Sequence, residues 1–342
     1  MSALGLEPHA RGRCITLPEA RGPIGARLFA ALEEPPGTCV DLAGIDMPGS
    51  PLSDDDLQLA LYVLYELHYA TVAGVDERWE WNPGLLAVRA ELEQVFEQAL
   101  DEAAGEPERD EPDEVGAELQ RLVGEDDGPS LSRYLEVRGT IEQMLEHVIH
   151  RSAYQLKEAD PHSWAIPRLA GAAKAALLEI QFDEYGEGRA ERMHSTLFAA
   201  TMAGLGLDPS YGAYLAALPG ITLATVNAMS CFGLHRRRRG ALVGHLAAFE
   251  MSSSIPNRRY GNALRRLGFG PEVTTFYDEH VEADAVHESI AAWDLAGGLA
   301  RSEPELARDI QMGARSLLAL EAMWAQHLLS CWERGDTSLR PG

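Results

Sequence analysis

The chain has 342 residues, of which 46% are hydrophobic, so it is long enough to form one large domain or two small ones around a sizeable core. Its formal net charge of −24 argues against nucleic acid and anionic membrane as main partners, because both would repel an acidic surface. No apolar run reaches the about eighteen residues that a membrane span needs, and the N-terminus lacks the apolar core of a signal peptide.

The cysteines lie far apart in the sequence and include no CxxC pair. Such a distribution is typical of a reduced, cytoplasmic protein and argues against a thiolate metal site. We therefore expect a soluble cytoplasmic protein. The four cysteines are Cys14, Cys39, Cys231 and Cys331.

The first part of the chain predicts an irregular arm, two helices and a loop. Residues 1–50 are rich in Gly and Pro and predict an irregular N-terminal arm. The run Ser53-Asp54-Asp55-Asp56 is a helix N-cap with acids in the first turn, and it predicts a helix over residues 57–72. Pro83 begins another helix that runs to about residue 103. Residues 101–129 are dense in Asp and Glu, with Gly and Pro between them, and predict a solvated loop.

The rest of the chain predicts a series of helices. Apolar spacing predicts a long helix from residue 130 or 132 to residue 156, which Asp160-Pro161 and Ile166-Pro167 end. Further helices are predicted over residues 169–180, 183–205, 222–232, 240–253, 257–267, 273–295 and 303–332, with a short connection or helix over residues 209–218. Because no run of alternating β-branched residues is convincing, the predicted class is all-α, with a single helical domain over residues 51–335.

The strongest functional signal is a set of three residues in the predicted helix 273–295. His280, Asp284 and His287 stand at i, i+4 and i+7, which places them on one helix face. Imidazole and carboxylate on a rigid stripe are ligands that iron, manganese and zinc prefer. No Lys or Arg lies between Glu279 and Glu288, although a solvated helix face would normally carry some. The spacing therefore predicts a metal-binding face.

A second motif is the pair formed by Glu191 and His194, at i and i+3 in the predicted helix 183–205. Helical di-iron and di-manganese carboxylate proteins use Glu-x-x-His, with the Glu bridging the metals and the His terminal. Alone, the pair is more often structural than functional, since short motifs match by chance. Beside the histidine and aspartate face, it favours a metal site.

Other acids and histidines are further candidates. Glu250 ends the small apolar run 246–249, where it is either an exposed acid of an amphipathic helix or a buried acid with a partner. The sequence does not choose between Glu158, Asp160 and His162. An alternative cluster suits a metal almost as well: Glu146, His147 and His150.

These motifs resemble those of the haem-oxygenase-like di-iron oxidases and oxygenases. The order of the motifs and the gaps between them match, and the likeness covers residues 130–335. The run Asp183-Glu184-Tyr185-Gly186, ahead of Glu191 and His194, is similar to that of an actinobacterial branch described as iron-containing redox enzymes. The resemblance implies a haem-oxygenase-like helical bundle with an irregular N-terminal extension and a metal-binding core over about residues 150–300.

The resemblance also implies a set of metal ligands. The bridging acid of the family corresponds to Glu191. His280 and Asp284 would bind one iron, and His287 would bind the other. The full implied set is Glu158, Glu191, His194, Glu250, His280, Asp284 and His287.

Two further acids correspond to positions that bind metal only in some members of the family. Glu184 falls where certain N-oxygenases have an additional carboxylate. Glu187 falls where certain oxidases place a ligand in exchange for the acid at Glu158. Glu184 and Tyr185 are the candidate catalytic residues.

The implied activity is that of an oxidoreductase, an oxidase or monooxygenase. It would bind two irons, use O2 as co-substrate, and draw on an external electron donor. Its substrate would be a small amine- or carboxylate-bearing metabolite, as in biosynthesis, and the reaction N-oxygenation, desaturation or C–C cleavage. One alternative is a metal-independent oxidase of the pyrroloquinoline-quinone-synthase type on the same fold. Another is a non-catalytic helical protein that binds a metal or a partner.

An arginine-rich region is unusual in so acidic a chain. The conservative interpretation is ion pairing with nearby acids, whereas the functional one is that Arg237 or Arg258 binds a substrate carboxylate. The expected partners are a small-molecule substrate and an electron donor, without nucleic acid or membrane. A homodimer is common for this fold.

Overall fold

The computed structural model describes residues 12–37, 40–107 and 111–341, without the side chains of residues 282–286. Cys39 and the side chain of Asp284 lie outside the described part. The helices are α1 (Pro23–Leu32), α2 (Asp55–Glu66), α3 (Pro83–Ala104), α4 (Val115–Gly124), α5 (Leu131–Arg138), α6 (Ile141–Gln155), α7 (Asp160–Ser163), α8 (Gly171–Glu184), α9 (His194–Gly204), α10 (Gly220–Leu234), α11 (Arg239–Arg266), α12 (Pro271–Ser289), α13 (Gly297–Ser302) and α14 (Ala307–Arg334), and the strands are β1 (Cys14–Thr16) and β2 (Thr71–Ala73).

The all-α class is confirmed, with one small parallel sheet of β1 and β2 in the described part. The predicted arm contains a helix, α1, because Pro23 supplies a preformed first turn and Asp56 of α2 accepts hydrogen bonds from Ile24 N and Gly25 N, each 2.8 Å long. The predicted helix over residues 57–72 ends earlier, since Thr71–Ala73 pairs with β1.

The acidic stretch over residues 101–129 is not entirely a loop. Helix α4 lies within it, and α3 extends into its first residues. Val115 and Leu119 stand at i and i+4 and are fully buried, so the few apolar residues of this stretch form one helical face despite the surrounding acids.

Two predicted helices are interrupted. The helix predicted up to residue 156 divides into α5 and α6, because Thr140 begins α6 with a capping box that also involves Gln143. The helix predicted over residues 183–205 breaks between α8 and α9. Gly186 and Glu187 both adopt positive φ there, 64° and 55°, which an α-helix does not allow.

Helix α11 is continuous where two helices were predicted. It passes through Pro256, which removes one backbone hydrogen bond without ending the helix. Gly244 of α11 and Gly313 of α14 lie where the two helices cross, and a Cβ at either position would overlap the backbone of the other helix. Helix α12 continues through a π-helical segment, Ile290–Ala296, into α13.

The hydrophobic core extends from Ile15 to Trp332, and α11 packs against both α12 and α14 within it. This arrangement places one end of α8, the start of α9 and the faces of α11 and α12 next to one another. Among the described helices, none is long and apolar enough to cross a membrane.

Two buried histidines make stability depend on pH. His162 Nε2 lies 3.2 Å from His245 Nδ1. Burial lowers the pKa of His162 from 6.5 to about 4 and that of His245 well below its ordinary value. Below pH 6.5 the unfolded chain therefore binds protons that the folded protein excludes, so stability is full above pH 6.5 and is lost as the pH falls toward 4. For His162 alone we expect a loss of about 2 kcal/mol by about pH 5.

Urea unfolding at pH 8 and pH 5 measures this dependence. His162→Gln is expected to lose less stability between the two pH values than the wild type, whatever its stability at pH 8. Phe249→Leu, which removes a ring stacked on His245, should keep the wild-type pH dependence. An unchanged dependence in His162→Gln would contradict the assignment.

Candidate metal centre

Buried acids and histidines from five parts of the chain converge on one region. Glu184 ends α8, His194 begins α9, and Glu250 lies on α11. Their ligand atoms form two groups, each within 4.8 Å, and Glu184 belongs to both. The first group is Glu158, Glu184, His194 and His280; the second is Glu184, Glu250 and His287.

The contacts within the cluster are close but poorly suited to hydrogen bonding. His194 Nδ1 lies 3.0 Å from Glu184 Oε2, and both atoms are buried without a hydrogen-bond partner among the described residues. His287 Nδ1 lies 3.3 Å from Glu250 Oε2, and His280 Nε2 lies 3.7 Å from Glu158 Oε1. Carboxylate and imidazole atoms that face a common point in this way suit a bound metal ion.

The outer nitrogens of two imidazoles are fixed by hydrogen bonds. His280 Nδ1 donates to the carbonyl oxygen of Phe276 at 2.8 Å, and His287 Nε2 donates to Asp183 Oδ2 at 2.8 Å. The other nitrogen of each ring faces the cluster, and it offers a lone pair when the ring is neutral. This is how carbonyl and carboxylate partners orient metal-binding histidines.

The cluster attracts positive charge. Burial raises the pKa of Glu158. Burial also favours a neutral Glu184, but the charge of His194 outweighs it and lowers the pKa of Glu184 to about 2. Burial lowers the pKa of His287, but Glu250 and Asp183 reverse the effect and raise it to about 9. Glu184 and Glu250 favour protons on the imidazoles that face them, and they would equally hold metal cations in place of those protons.

A cavity of about 680 Å³ adjoins the cluster. His280 reaches its wall beside Phe276 and Phe198, whose rings are 5.0 Å apart. Residues 252–257 of α11 and residues 128–132 also line the cavity. The volume falls within the usual range for small-molecule sites, so a substrate bound in the cavity could reach the cluster at His280.

A family model described as "Iron-containing redox enzyme" matches residues 145–322, which is more than half of the chain and contains the whole cluster. The chain belongs to the iron-containing redox enzyme family. The resemblance predicted from the motifs is therefore confirmed, and the buried acids and histidines give this family member a donor set that suits iron.

Two similar proteins add detail. A nitrosourea synthase of Streptomyces achromogenes subsp. streptozoticus is 29% identical over 162 residues, which is 46% of this chain and 34% of the relative. The match thus spans about a third of that protein. A CADD-like protein of unknown function from Nostoc punctiforme has 17% sequence identity and a TM-score of 0.51, over 64% of this chain and 97% of its own. It supports the haem-oxygenase-like helical fold.

The structure does not bring Glu191 into the cluster. Glu191 lies in a short 3-10 turn and is exposed, because the chain between Glu184 and His194 is not helical. An i, i+3 spacing aligns two side chains only within a helix, so Glu191 and His194 do not share a face. Glu184, expected only as a conditional ligand, occupies the central position that was predicted for Glu191.

Glu187 also lies apart from the cluster. It is half-exposed, and its Oε2 lies 2.6 Å from Arg192 Nη1, which pairs in turn with Glu279. Glu158, in contrast, is 1% exposed and lies beside His280. Of the two alternative acids, the structure thus places Glu158 in the cluster.

The remaining candidates have other partners. Tyr185 Oη donates to Asp160 Oδ1 at 2.7 Å, and Arg237 pairs with Glu97 at the surface. Arg258 is exposed and is not among the residues that line the cavity. The alternative cluster of Glu146, His147 and His150 forms no metal group within the described ranges. Glu146 accepts hydrogen bonds from Trp332 and Ser338. His150 contacts Thr222, and His147 lines the cavity.

Proposed function

We propose that the protein is a non-haem di-iron oxidase or oxygenase that uses O2 to oxidise a small amine- or carboxylate-bearing metabolite. Electrons would come from an external donor. The observation that carries the proposal is the position of Glu184, which belongs to two groups of ligands. A carboxylate has two oxygens, so one residue can serve two metal ions at once.

Each part of the chain would have a distinct task in this reaction. Glu158, His194 and His280 would hold one iron, Glu250 and His287 the other, and Glu184 both. When bound, the irons would supply the redox chemistry with O2. Asp183 and the carbonyl oxygen of Phe276 keep two imidazoles in the tautomers that this task needs. Phe198 and Phe276, which line the cavity beside His280, would keep bulk water away from the reacting atoms.

Among the reactions open to such a site, N-oxygenation is supported by the curated relative. That protein is named for forming a nitrosourea, a compound in which a nitrogen carries oxygen. Desaturation and C–C cleavage are the competing reactions. They depend on which substrate atom comes to lie next to the irons.

Loading with iron tests the proposal. Full-length protein incubated anaerobically with Fe(II) and then desalted is expected to hold two irons per chain. Exposure to O2 should then produce a transient visible absorption, measured by stopped-flow spectroscopy. Binding of two irons without any reaction with O2 would favour a metal-binding protein without catalysis. Oxidase activity that persists in metal-free protein would favour the metal-independent alternative.

A further inference from the structure

The cavity beside the metal centre has a polar end that the proposed di-iron function does not use. It is lined by Arg151 and His147 of α6, Tyr260 of α11, Tyr277 of α12 and Glu321 of α14. Arg151 is held by two hydrogen bonds to Glu321, of 2.7 and 2.5 Å, and its guanidinium lies 3.9 Å from the centroid of the Trp324 ring. A cation is therefore fixed at one end of the cavity.

A series of ring contacts joins this end to the metal centre. The Tyr260 ring is 4.3 Å from His147 and 5.9 Å from Tyr277, measured between centroids. Tyr277 is 5.2 Å from Phe276, and Phe276 is 4.4 Å from His280. The cavity thus has a polar end at Arg151, an aromatic wall, and a metal-binding end at His280.

Two polar atoms at this end have no partner in the described part of the chain. They are Tyr277 Oη and His147 Nδ1, and the two side chains are only 2% and 1% exposed. A buried polar atom without a hydrogen bond is costly, by about 1–3 kcal/mol, and such atoms in a cavity wall indicate a ligand that satisfies them. Burial lowers the pKa of His147 well below its ordinary value, so the ring is neutral and can donate one hydrogen bond.

We propose that Arg151, Tyr277 and His147 bind the carboxylate of the substrate, at the end of the cavity away from the metal ions. The proposal rests on the proposed function, which it deepens by naming the substrate class. The substrate is a carboxylic acid with an apolar or aromatic middle section that lies along Phe276. The atom that is oxidised lies in the part of the molecule remote from its carboxylate.

The chemistry of this end favours an anion over an amine. Arg151, Tyr277 and His147 can all present N–H or O–H donors, which matches the acceptor oxygens of a carboxylate. An ammonium or guanidinium group would face the charge of Arg151 and would find Glu321 already bound to it. The overall acidity of the protein would attract amines, so a preference for acids must come from this local arrangement.

Titration calorimetry with three matched probes tests the preference in protein freed of metal. The probes are 4-phenylbutyrate, 4-phenylbutylamine and 4-phenyl-1-butanol. The acid is expected to bind at least about tenfold more tightly than the other two, which is the usual effect of one or two charge-assisted hydrogen bonds. An amine that binds as tightly as the acid, or no binding of any probe at millimolar concentration, overturns the proposal.

Variants locate the binding of the acid. Tyr277→Phe should weaken 4-phenylbutyrate binding about tenfold and that of the alcohol much less. Tyr65→Phe is the matched control, because Tyr65 is another buried tyrosine and is not among the residues that line the cavity. Its affinity for the acid should equal that of the wild type. Equal affinities of Tyr277→Phe and Tyr65→Phe for the acid overturn the proposal.

The orientation of the bound acid is tested in protein loaded with Mn(II). Paramagnetic relaxation of 4-phenylbutyrate protons should be faster for the phenyl ring than for the methylene next to the carboxylate. The reverse order overturns the proposed orientation. Failure of Mn(II) to bind would count against the di-iron function, whereas the calorimetry in metal-free protein would still decide the carboxylate site.

Discussion

Under the proposed di-iron function, Glu184→Gln is expected to prevent the binding of both irons, whereas Glu158→Gln and Glu250→Gln should each prevent the binding of one. Among the side chains that the structure describes, Glu184 is the one acid that lies in both groups of ligands. An amide keeps the size of the side chain but lacks the negative charge and the second good ligand oxygen. Loss of a residue that only hydrogen-bonds to a metal ligand already lowers metal affinity about 10- to 100-fold. Loss of a ligand shared by two metal ions should therefore lower the affinity further.

Elemental analysis after anaerobic loading with Fe(II) and desalting measures the stoichiometry. Glu191→Gln is the matched control, since this exposed glutamate lies only a few residues from Glu184 and should leave two irons bound. The opposite result would be full iron content in Glu184→Gln and loss of iron in Glu191→Gln. It would show that Glu191, the acid expected from the motif, is the bridging ligand. Circular dichroism of each variant checks that the helices are intact.

Helical periodicity was sufficient to predict that His280 and His287 of α12 lie toward the same site. His280 and His287 are seven residues apart within one helix, and the structure brings both to the cluster. Most helices could be predicted for the same reason, since apolar spacing is a local property of the sequence. The ends of the helices were less well predicted where contacts with distant segments determine them. The helix predicted to residue 72 ends early, for example, because β2 pairs with the distant strand β1.

The central acid could not be chosen by periodicity. Glu184 and Glu191 are equally plausible partners of His194 in the sequence, and the choice depends on the non-helical residues between them. Gly186 in the sequence is compatible with a break in the helix. The positive φ of Glu187 could not be expected, because it is uncommon for a residue other than glycine. A continuous helix was the simpler expectation, and it placed Glu191 beside His194, where the structure has Glu184.

The polar end of the cavity was missed for a different reason. Arg151 and Glu321 are 170 residues apart, and their pairing is visible only in the folded chain. The sequence did place His147 and Arg151 one helical turn apart, which was a usable signal. The arginines chosen instead, Arg237 and Arg258, stood out by local density, and that density reflects surface ion pairs at Arg237.

Lys157→Met is expected to destabilise the protein by about 3–5 kcal/mol, because it leaves a buried carboxylate without its counter-charge. Lys157 and Glu66 are both 0% exposed and form an ion pair. Lys157 Nζ also lies 4.9 Å from the centroid of the Tyr62 ring, and Glu66 accepts a hydrogen bond from Tyr211 Oη at 2.7 Å. Urea unfolding at pH 7.5 measures the loss.

The double variant Lys157→Met/Glu66→Leu separates the cost of an unpaired charge from the value of the pair. Replacing both partners of a buried ion pair by apolar residues is often neutral or stabilising, so most of the lost stability should return. Arg334→Met, which breaks an exposed pair with Asp336, is the control and should leave the unfolding midpoint unchanged. A double variant as unstable as Lys157→Met would contradict this account.

The buried pair has a further consequence, because Lys157 directly precedes Glu158 in the segment between α6 and α7. That segment carries a candidate metal ligand outside the α-helices, and the ion pair connects it to α2. If the ion pair positions Glu158, the double variant should fold with nearly wild-type stability. Its affinity for one of the two proposed irons should nevertheless be lower than that of the wild type. Wild-type affinity for both irons would show that packing alone positions Glu158. Apolar contacts can replace the contribution of an ion pair to stability, but they lack the directional hydrogen bonds that fix the orientation of one side chain.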